Sequence, residues 1–341
     1  MLPRLLLAIA WLHAVPGYHF EFPRDHFDHP GFRTEWWYYT GNLRAADGHR
    51  HGFELVFFRQ GERRGPGGIP SKWRVDDLYL AHLAWTDIDG RTFRSYQRLN
   101  RAGPGIAGIR ASEGRIWNGN WQVLWNPAND VQTLSALAAD LRFELRLTPR
   151  KSPVIQGENG VSVKGPGEGQ ASQYVSFTRL AVAGTLNGVA VTGTAWMDHE
   201  WFTNQLDPSQ RGWDWFSIQL NDGSELMLFE LRRLDGSIDP FSSGTRIGAD
   251  GRATHLRRSD FELRPEDWWT SPHTGARYPV RWRIAIPSLG VEVTCTAAIP
   301  DQELTGGSEF PTYWEGAVVY TGSASGVGYL EMTGYARPVR L

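Results

Sequence analysis

Eight Asn-Gly or Asp-Gly dipeptides divide the 341-residue chain into short segments. These pairs tolerate the positive φ angles of two-residue hairpin turns, so they indicate frequent chain reversals. The segments between them alternate apolar and polar residues, as in residues 141–147 and 280–286, which is typical of half-buried strands. Helix signals are scarce. The pattern therefore predicts an all-β protein whose antiparallel strands form barrels or sandwiches.

One aromatic hairpin occurs twice in the sequence. Residues 36–43 align with residues 213–220, and the apolar segment 54–58 aligns with 225–229. Each copy consists of an aromatic strand, a polar turn and an apolar strand that begins with Glu. A true repeat predicts two similar β-barrels in tandem. Chance similarity is the alternative, because all hairpins share patterns for physical reasons.

The length of the chain fits about two domains. We place their boundary near residues 180–190, which gives an N-terminal barrel over residues 18–185 and a C-terminal barrel over residues 186–341. The Gly-rich polar stretch 164–172 is too polar for a core, and we expect it to form a loop over a barrel mouth.

The composition excludes several classes of protein. The net charge is −2 with both signs interspersed, so no basic surface for nucleic acid is expected. The single cysteine, Cys295, rules out an intrachain disulfide and a cysteine-based zinc site. The sixteen tryptophans suit a ligand pocket, although a large β core would also use them.

Residues 1–17 have the pattern of a signal peptide. Arg4 precedes an apolar run over residues 5–12, and small or turn-forming residues lead to Gly17. We expect cleavage after Gly17 and a periplasmic or secreted protein. No second hydrophobic segment follows, so the membrane would be contacted only through this segment. An uncleaved anchor or an ordinary N-terminal segment is the alternative.

The densest group of titratable residues lies at 196–201. On a strand, Asp198 and Glu200 would share one face, whereas His199 and Trp201 would share the other. We expect His199 to enter a barrel among aromatic side chains, where an imidazole can exchange a proton near neutral pH. The sequence thus makes His199, Asp198 and Trp201 catalytic candidates, with Trp196 and Glu200 binding the ligand. A core histidine bonded to a backbone carbonyl is the alternative.

A second aromatic and acidic group contains Glu35, Trp36 and Tyr38. A carboxyl group in apolar surroundings has a raised pKa and can act as an acid, so Glu35 is a candidate site residue. The alternative is a Glu35 satisfied by a buried backbone group or an arginine. A third group of the same kind lies near the C-terminus and consists of Tyr313, Trp314 and Glu315.

We expect no metal and no cofactor. Residues 23–30 contain two histidines and two aspartates, but they precede the first strand and are interpreted as a polar segment. One histidine and two acids on opposite faces of the 196–201 strand do not converge on an ion. The chain also lacks a Gly-x-Ser-x-Gly elbow and a phosphate loop, which excludes the usual esterases and nucleotide enzymes.

With these motifs, the sequence resembles the carotenoid 1,2-hydratase-like family, also called the AttH lipocalin-like family, whose bacterial members are often labelled secreted hydrolases. The resemblance covers nearly all of residues 18–341 and implies two lipocalin-like (calycin) barrels. The motifs that carry it are Thr34-Glu-Trp-Trp-Tyr38, Thr40-Gly-Asn42, Gly193-Thr-Ala-Trp-Met-Asp-His-Glu-Trp201, Gly212-Trp-Asp-Trp-Phe-Ser217, Tyr313-Trp-Glu-Gly316 and Gly334-Tyr335.

The resemblance also implies a function. Relatives hydrate a carotenoid double bond through a His-x-Trp pair, matched here by His199 and Trp201, and through a Tyr-x-Asp pair. This chain has Trp213-Asp214-Trp215 in that neighbourhood instead, and we expect Trp213 and Trp215 to bind the ligand. The implied function is acid-catalysed hydration or hydrolysis of an isoprenoid- or lipid-like molecule.

Two other functions stay open at this point. Some relatives are encoded beside an ABC transporter permease, which would suit a periplasmic module that binds a hydrophobic molecule without chemistry. A structural envelope protein with no cavity is the remaining alternative.

Overall fold

The computed structural model describes residues 10–62, 75–306 and 311–339 and confirms the all-β architecture. Within these ranges the helical elements are four short 3-10 turns, Arg24–His26, Ala111–Glu113, Arg258–Asp260 and Pro287–Leu289. The strands are β1 (Thr34–Ala45), β2 (Arg50–Gly61), β3 (Asp77–Asp87), β4 (Thr92–Arg101), β5 (Ala107–Arg110), β6 (Arg115–Asn118), β7 (Trp121–Asn126), β8 (Val131–Leu137), β9 (Arg142–Pro149), β10 (Val154–Ile155), β11 (Ser162–Val163), β12 (Ala171–Leu186), β13 (Val189–Phe202), β14 (Gln210–Leu220), β15 (Glu225–Arg233), β16 (Ser243–Ile247), β17 (Ala253–Arg257), β18 (Glu262–Thr270), β19 (Arg277–Ile286), β20 (Val291–Ala297), β21 (Glu303–Leu304), β22 (Tyr313–Gly322) and β23 (Gly326–Thr333).

The first sheet curls into a nearly closed barrel. Its order is β4-β3-β2-β1-β13-β12-β9-β8-β7-β6-β5, with β10 and β11 paired to β12. Asn118 on β6 helps to close it, because its side chain donates to the Tyr79 carbonyl and accepts from Asn100 on β4. Alternate apolar residues such as Trp37, Leu55 and Leu145 fill the interior.

The second sheet forms a half-barrel. Its order is β17-β16-β15-β14-β23-β22-β20-β19-β18, with β21 paired to β22. In both sheets the first strand pairs with the second strand on one side and with the last strand on the other. β14 and β15 thus correspond to β1 and β2, which agrees with the repeat seen in the sequence. Trp282, Cys295 and their neighbours form the core of this sheet.

The division between the sheets differs from the predicted boundary. The boundary at residues 185 and 186 falls at the end of β12, just before the turn into β13, and both strands belong to the first sheet. The sheets separate instead between Phe202 and Gln210, the end of β13 and the start of β14. The reason is that the last strand of the first unit returns to pair with β1.

The predicted turns have the backbone that their residues favour. Seven of the eight turn glycines have a positive φ; in the 89–90 turn the positive φ belongs to Arg91 instead. At Asn187 and Gly188 both residues have positive φ, 49° and 82°, as a two-residue hairpin turn requires.

Buried polar contacts join the two sheets. The Gln219 side chain on β14 donates to the carbonyls of Thr178 and Ala195, at 2.8 and 2.9 Å. Glu225 on β15 is fully buried and pairs with Lys151, at 2.6 Å, and with Arg179. These contacts set the position of β14 and β15 against β12 and β13.

The segment before β1 packs against the end of the first barrel. The Leu12 amide donates to the Gly31 carbonyl, and the Gly17 amide donates to the Asn159 carbonyl, both at 2.9 Å. Ala14 is buried against Trp201. The first nine residues of the predicted signal peptide lie outside the described ranges, and within those ranges no helix is long and apolar enough to cross a membrane.

Replacing Glu225 with Gln should destabilise the protein by about 3–5 kcal/mol, because two cations would lose their buried partner. Urea unfolding measures this change as a lower midpoint at unchanged slope. Glu292→Gln is the matched control, since the Glu292–Arg283 pair is exposed and should contribute little. Equal unfolding midpoints for Glu225→Gln and the control would contradict the account.

Candidate functional site

A cavity of about 600 Å³ lies between the two sheets. It is lined by side chains of β1, β2, β3, β12 and β13 from the first sheet and of β14, β15, β22 and β23 from the second. The volume is in the usual range for a small-molecule site. Its aromatic walls include Trp36, Tyr38, Phe58, Tyr174, Trp213, Trp215, Phe229 and Tyr313.

Strand alternation decides which side chains reach the cavity. On β1, Trp37 and Tyr39 point into the core of the first barrel, whereas Trp36 and Tyr38 line the cavity. On β13, Asp198 and Glu200 line it. The predicted sharing of one strand face by these two acids is therefore what the structure shows.

Asp198 is buried and accepts three hydrogen bonds. They come from Tyr174 and Ser176, both at 2.5 Å, and from the Trp196 indole at 2.6 Å. Burial nevertheless raises the pKa of Asp198 from 3.8 to about 7. Trp215 in turn donates to the Tyr174 hydroxyl at 3.1 Å, so the second sheet also holds this group.

Glu331 on β23 faces the cavity from the second sheet. Burial raises its pKa from 4.5 to about 8, so the carboxyl group carries a proton at neutral pH. Among the described residues its hydrogen-bond partner is the Trp213 indole, at 2.9 Å. Sequence reasoning missed Glu331; the signal was a lone acid between apolar residues of a strand.

Lys164 is a second cavity residue that the sequence analysis did not select. Its side chain is 4% exposed, although it lies in the stretch that we expected to be a surface loop. The ammonium group lies 3.0 Å from the Ser162 hydroxyl and 3.6 Å from the centre of the Phe229 ring. Burial lowers the pKa of Lys164, even though Glu200 and Asp198 favour its charged form.

More buried polar groups lie behind the cavity wall. The Tyr313 hydroxyl donates to Glu54 at 2.8 Å and lies 2.7 Å from Nδ1 of His82. Tyr38 donates to Glu315 at 2.7 Å. Burial raises the pKa of Glu54 to about 8 and that of Glu315 well above its ordinary value. This end of the cavity therefore holds neutral carboxyl groups at pH 7.

The predicted site residues divide into two groups. The cavity is lined by Trp36, Tyr38, Asp198, Glu200, Trp213, Trp215 and Tyr313. It is not lined by Glu35, Trp196, His199, Trp201, Trp314 or Glu315. Trp196 and Glu315 lie one layer behind it, as partners of Asp198 and Tyr38. Trp314 belongs to the core of the second sheet.

His199 and Trp201 point to the opposite face of β13, toward the end of the first barrel. The His199 ring stacks on Trp37 with centroids 4.6 Å apart, and its Nδ1 lies 3.2 Å from the Asp25 carbonyl. Burial lowers the pKa of His199 to about 4, so the expected proton exchange near neutral pH does not fit this position. His199 and Trp201 face away from Asp198 and Glu200, as predicted. The cavity, however, lies on the face of β13 that carries the two acids.

Glu35 lies beside His199 and differs from the expectation of a raised pKa. Its carboxylate accepts hydrogen bonds from the His29 amide, at 2.9 Å, and from Arg59, at 3.1 Å. Although burial acts in the opposite direction, His29, His199 and Arg59 hold the pKa of Glu35 well below its usual range. The alternative, a Glu35 satisfied by backbone and arginine, is what the structure shows.

One group of described residues could hold a metal ion. Its members are His29, Glu35 and His199, whose ligand atoms all lie within 4.8 Å of one another. His29 comes from the polar segment 23–30, which the sequence analysis did not connect with β13. Sequence spacing could not reveal this convergence, because 170 residues separate His29 from His199.

Fold and site together define an all-β protein in which two curled sheets enclose an aromatic cavity with buried acids. The sequence matches the AttH-like family over residues 13–335, so the chain belongs to that family. A crystal structure of a protein from Nitrosomonas europaea assigned to AttH is 36% identical, covers 96% of this chain and 100% of its own, and has a TM-score of 0.85.

A more distant structure shares the fold. Kievitone hydratase from Nectria haematococca is 16% identical, with 89% of this chain and 90% of its own covered and a TM-score of 0.66. Among proteins with curated functions, none matches the sequence significantly.

The raised pKa of Glu331 should make stability depend on pH. Between pH 4.5 and about 8 the folded state keeps the Glu331 proton, whereas the unfolded carboxyl group has lost it. The folded state then binds more protons, so the free energy of unfolding falls as the pH rises through this window. Urea unfolding at several pH values should show a shallower fall for Glu331→Gln.

The exposed Glu113 provides the control for this measurement. Glu113→Gln should keep the pH dependence of the wild type. An unchanged slope in Glu331→Gln would show that Glu331 is ionised in the folded protein.

Proposed function

We propose that the protein binds an apolar, isoprenoid- or lipid-like molecule in the cavity between the sheets and catalyses addition of water to it. The observation that carries this proposal is the combination of aromatic walls with carboxyl groups that stay protonated at neutral pH. Such a group can donate a proton to a double bond, which a carboxylate cannot do. The hydratase name of one protein with this fold agrees with the proposal, although that likeness is one of fold alone.

Glu331 is the proton donor in this proposal. Its pKa of about 8 leaves it protonated at pH 7. Within the described ranges its carboxyl group has one indole partner, compared with three donors on Asp198. The proton would add to one alkene carbon, and the other carbon would become a cation. The faces of Trp36, Trp213 and Trp215 can stabilise such a cation.

Asp198 is the proton acceptor. Its three hydrogen-bond donors favour the carboxylate, whereas the Trp213 indole is the donor to Glu331 among the described residues. Water would attack the cation to form a carbon–oxygen bond and would release its proton to Asp198. Proton return to Glu331 through solvent then restores the starting state, so the net reaction adds one water molecule to the double bond. Hydrolysis of a polar bond would use the same two groups.

The N-terminal segment and the apolar cavity support a role in the cell envelope. We also propose that the protein is exported to the periplasm or secreted. The intact mass of the native protein would give the position of its mature N-terminus. An alternative function is binding without chemistry, in the service of an ABC transporter permease. The same cavity would serve both functions, and the two differ in the fate of the ligand.

An apolar fluorescent probe such as N-phenyl-1-naphthylamine should bind in the cavity. Leu206→Trp would place a large ring at the half-buried rim and should weaken binding at least tenfold, because it fills the space. Leu124→Trp, at a 43% exposed position outside the cavity lining, is the matched control and should bind like the wild type. Equal affinities for both variants would place the probe elsewhere.

Turnover should require Glu331. With a panel of isoprenoid alkenes in ¹⁸O-water, we expect the wild type to form a labelled alcohol, and Glu331→Gln to lower the rate about 10²–10⁴-fold. The rate should also fall above pH 8, where the donor loses its proton. Glu230→Gln is the matched control, since burial raises the pKa of Glu230 to about 7 but the residue does not line the cavity.

Mass spectrometry of molecules extracted from the native protein separates the two functions. A hydrated product beside its alkene supports the enzyme. An apolar ligand that stays unaltered after prolonged incubation, with equal behaviour of Glu331→Gln and the wild type, would contradict catalysis and favour the binding module.

A further inference from the structure

We propose that His29, Glu35 and His199 form a binding site for one divalent transition-metal ion, of the zinc or iron(II) class. The site lies at the end of the first barrel, on the face of β13 opposite the cavity. The three ligand atoms are His29 Nδ1, Glu35 Oε1 and His199 Nε2, and all lie within 4.8 Å of one another. His29 is 11% exposed at its side chain, and the other two ligands are buried.

The arrangement of the ring nitrogens carries this inference. Each of the four ring nitrogens faces an oxygen acceptor. His29 Nδ1 and His199 Nε2 lie 2.7 and 2.9 Å from Glu35 Oε1. His29 Nε2 lies 3.2 Å from the Asp25 carboxylate, and His199 Nδ1 lies 3.2 Å from the Asp25 carbonyl.

A neutral imidazole carries one N–H group and an imidazolium carries two, so the four contacts need either four ring protons or a cation in place of some of them. When two neutral rings donate to Asp25, their other nitrogens direct lone pairs at Glu35 Oε1, which also carries lone pairs. A cation bound by these three atoms removes the conflict, because the lone pairs become its ligands. The two nitrogens would move apart from Oε1, where they now lie at hydrogen-bond distance, to admit the ion. We place the cation beside Oε1 because the three ligand atoms converge there.

The outer partners match those of a metal site. Histidine ligands usually donate their second N–H to a carboxylate or a backbone carbonyl, which fixes the ring and its tautomer. Asp25 provides both acceptors, the carboxylate for His29 and the carbonyl for His199. Glu35 Oε2 is held by Arg59 and by the His29 amide, which leaves Oε1 to bind the ion.

Aromatic stacking fixes the two rings. His29 stacks on Trp201 with centroids 3.8 Å apart and an interplanar angle of 5°. His199 stacks on Trp37 at 4.6 Å and 22°. A preformed orientation of this kind lowers the cost of binding an ion.

The donor set selects the class of metal. Two imidazole nitrogens and one carboxylate oxygen suit zinc, iron(II) and related ions, whereas calcium and magnesium prefer oxygen ligands alone. The ion would connect the segment before β1 to β1 and to β13. Its binding should therefore stabilise the folded chain.

Elemental analysis of protein purified without a chelator or a histidine tag tests the proposal. We expect close to one transition-metal ion per chain, a lower melting temperature after dialysis against EDTA, and recovery when Zn²⁺ is added. Co²⁺ added to the metal-free protein should give the visible absorption of a low-coordinate nitrogen and oxygen site.

Matched variants locate the ion. Glu35→Gln and His199→Asn should lose the bound metal and the response to Zn²⁺. His26→Asn should keep both, because His26 lies in the same segment but pairs with Asp130 and is not a ligand.

The contrary result can be read from the wild type alone, even where a variant fails to fold. Metal-free protein that does not bind Zn²⁺ or Co²⁺ and melts at the same temperature with and without EDTA would overturn the proposal. Hydrogen bonds to Glu35 and Asp25 alone would then hold the two rings. Metal retained equally by Glu35→Gln and His199→Asn would also overturn it, since the ion would lie elsewhere.

Discussion

The pairing of β1 with β13 is the constraint on which the site depends. In its register Tyr38 lies opposite Asp198 and Trp36 opposite Glu200, so aromatic and acidic side chains share the face toward the cavity. The intervening pair, Trp37 and His199, takes the other face. A slip of one residue would exchange the two faces and bury the acids in the first barrel.

The same pairing explains why two sheets can form one cavity. The last strand of each unit returns to its first strand, so β13 and β23 lie beside β1 and β14 in the middle of their sheets. Polar contacts of Gln219 and Glu225 then set the second sheet against β12 and β13. The outer faces of the two central strand pairs become the walls of the cavity.

Buried and half-buried acids at this interface oppose stability. Glu331 helps to raise the pKa values of Glu54 and Glu315, and Glu54 also raises that of Glu315. Glu315 and Glu331 are direct partners across β22 and β23. Moving each carboxyl group from water to a position between the two sheets costs free energy. Such groups cluster where a protein needs a protonated acid, which is the reason to place chemistry at this cavity.

Local signals in the sequence predicted much of this structure. The Asn-Gly and Asp-Gly turns, the repeated aromatic hairpin and the opposite faces of Asp198 and His199 all follow from the backbone geometry of strands and turns. The boundary between the sheets does not follow from local signals, because β13 pairs with β1, as when His199 lies opposite Trp37.

Contacts between residues that are distant in the sequence could not be predicted from local patterns either. Glu331 and Lys164 stand alone in their segments, and only the approach of the two sheets gives them a shared cavity. Glu35 looked like an acid in apolar surroundings, but its properties are set by Arg59, His29 and His199, which come from three other parts of the chain.

The central claim is that the functional site is the cavity between the sheets rather than the interior of either barrel. A crystal structure of the protein soaked with a brominated apolar alkene tests it directly, because anomalous scattering locates bromine without ambiguity. The account predicts a bromine peak between Trp36, Trp215 and Glu331. A peak inside the first barrel, or ordered ligand only on the outer surface, would contradict it.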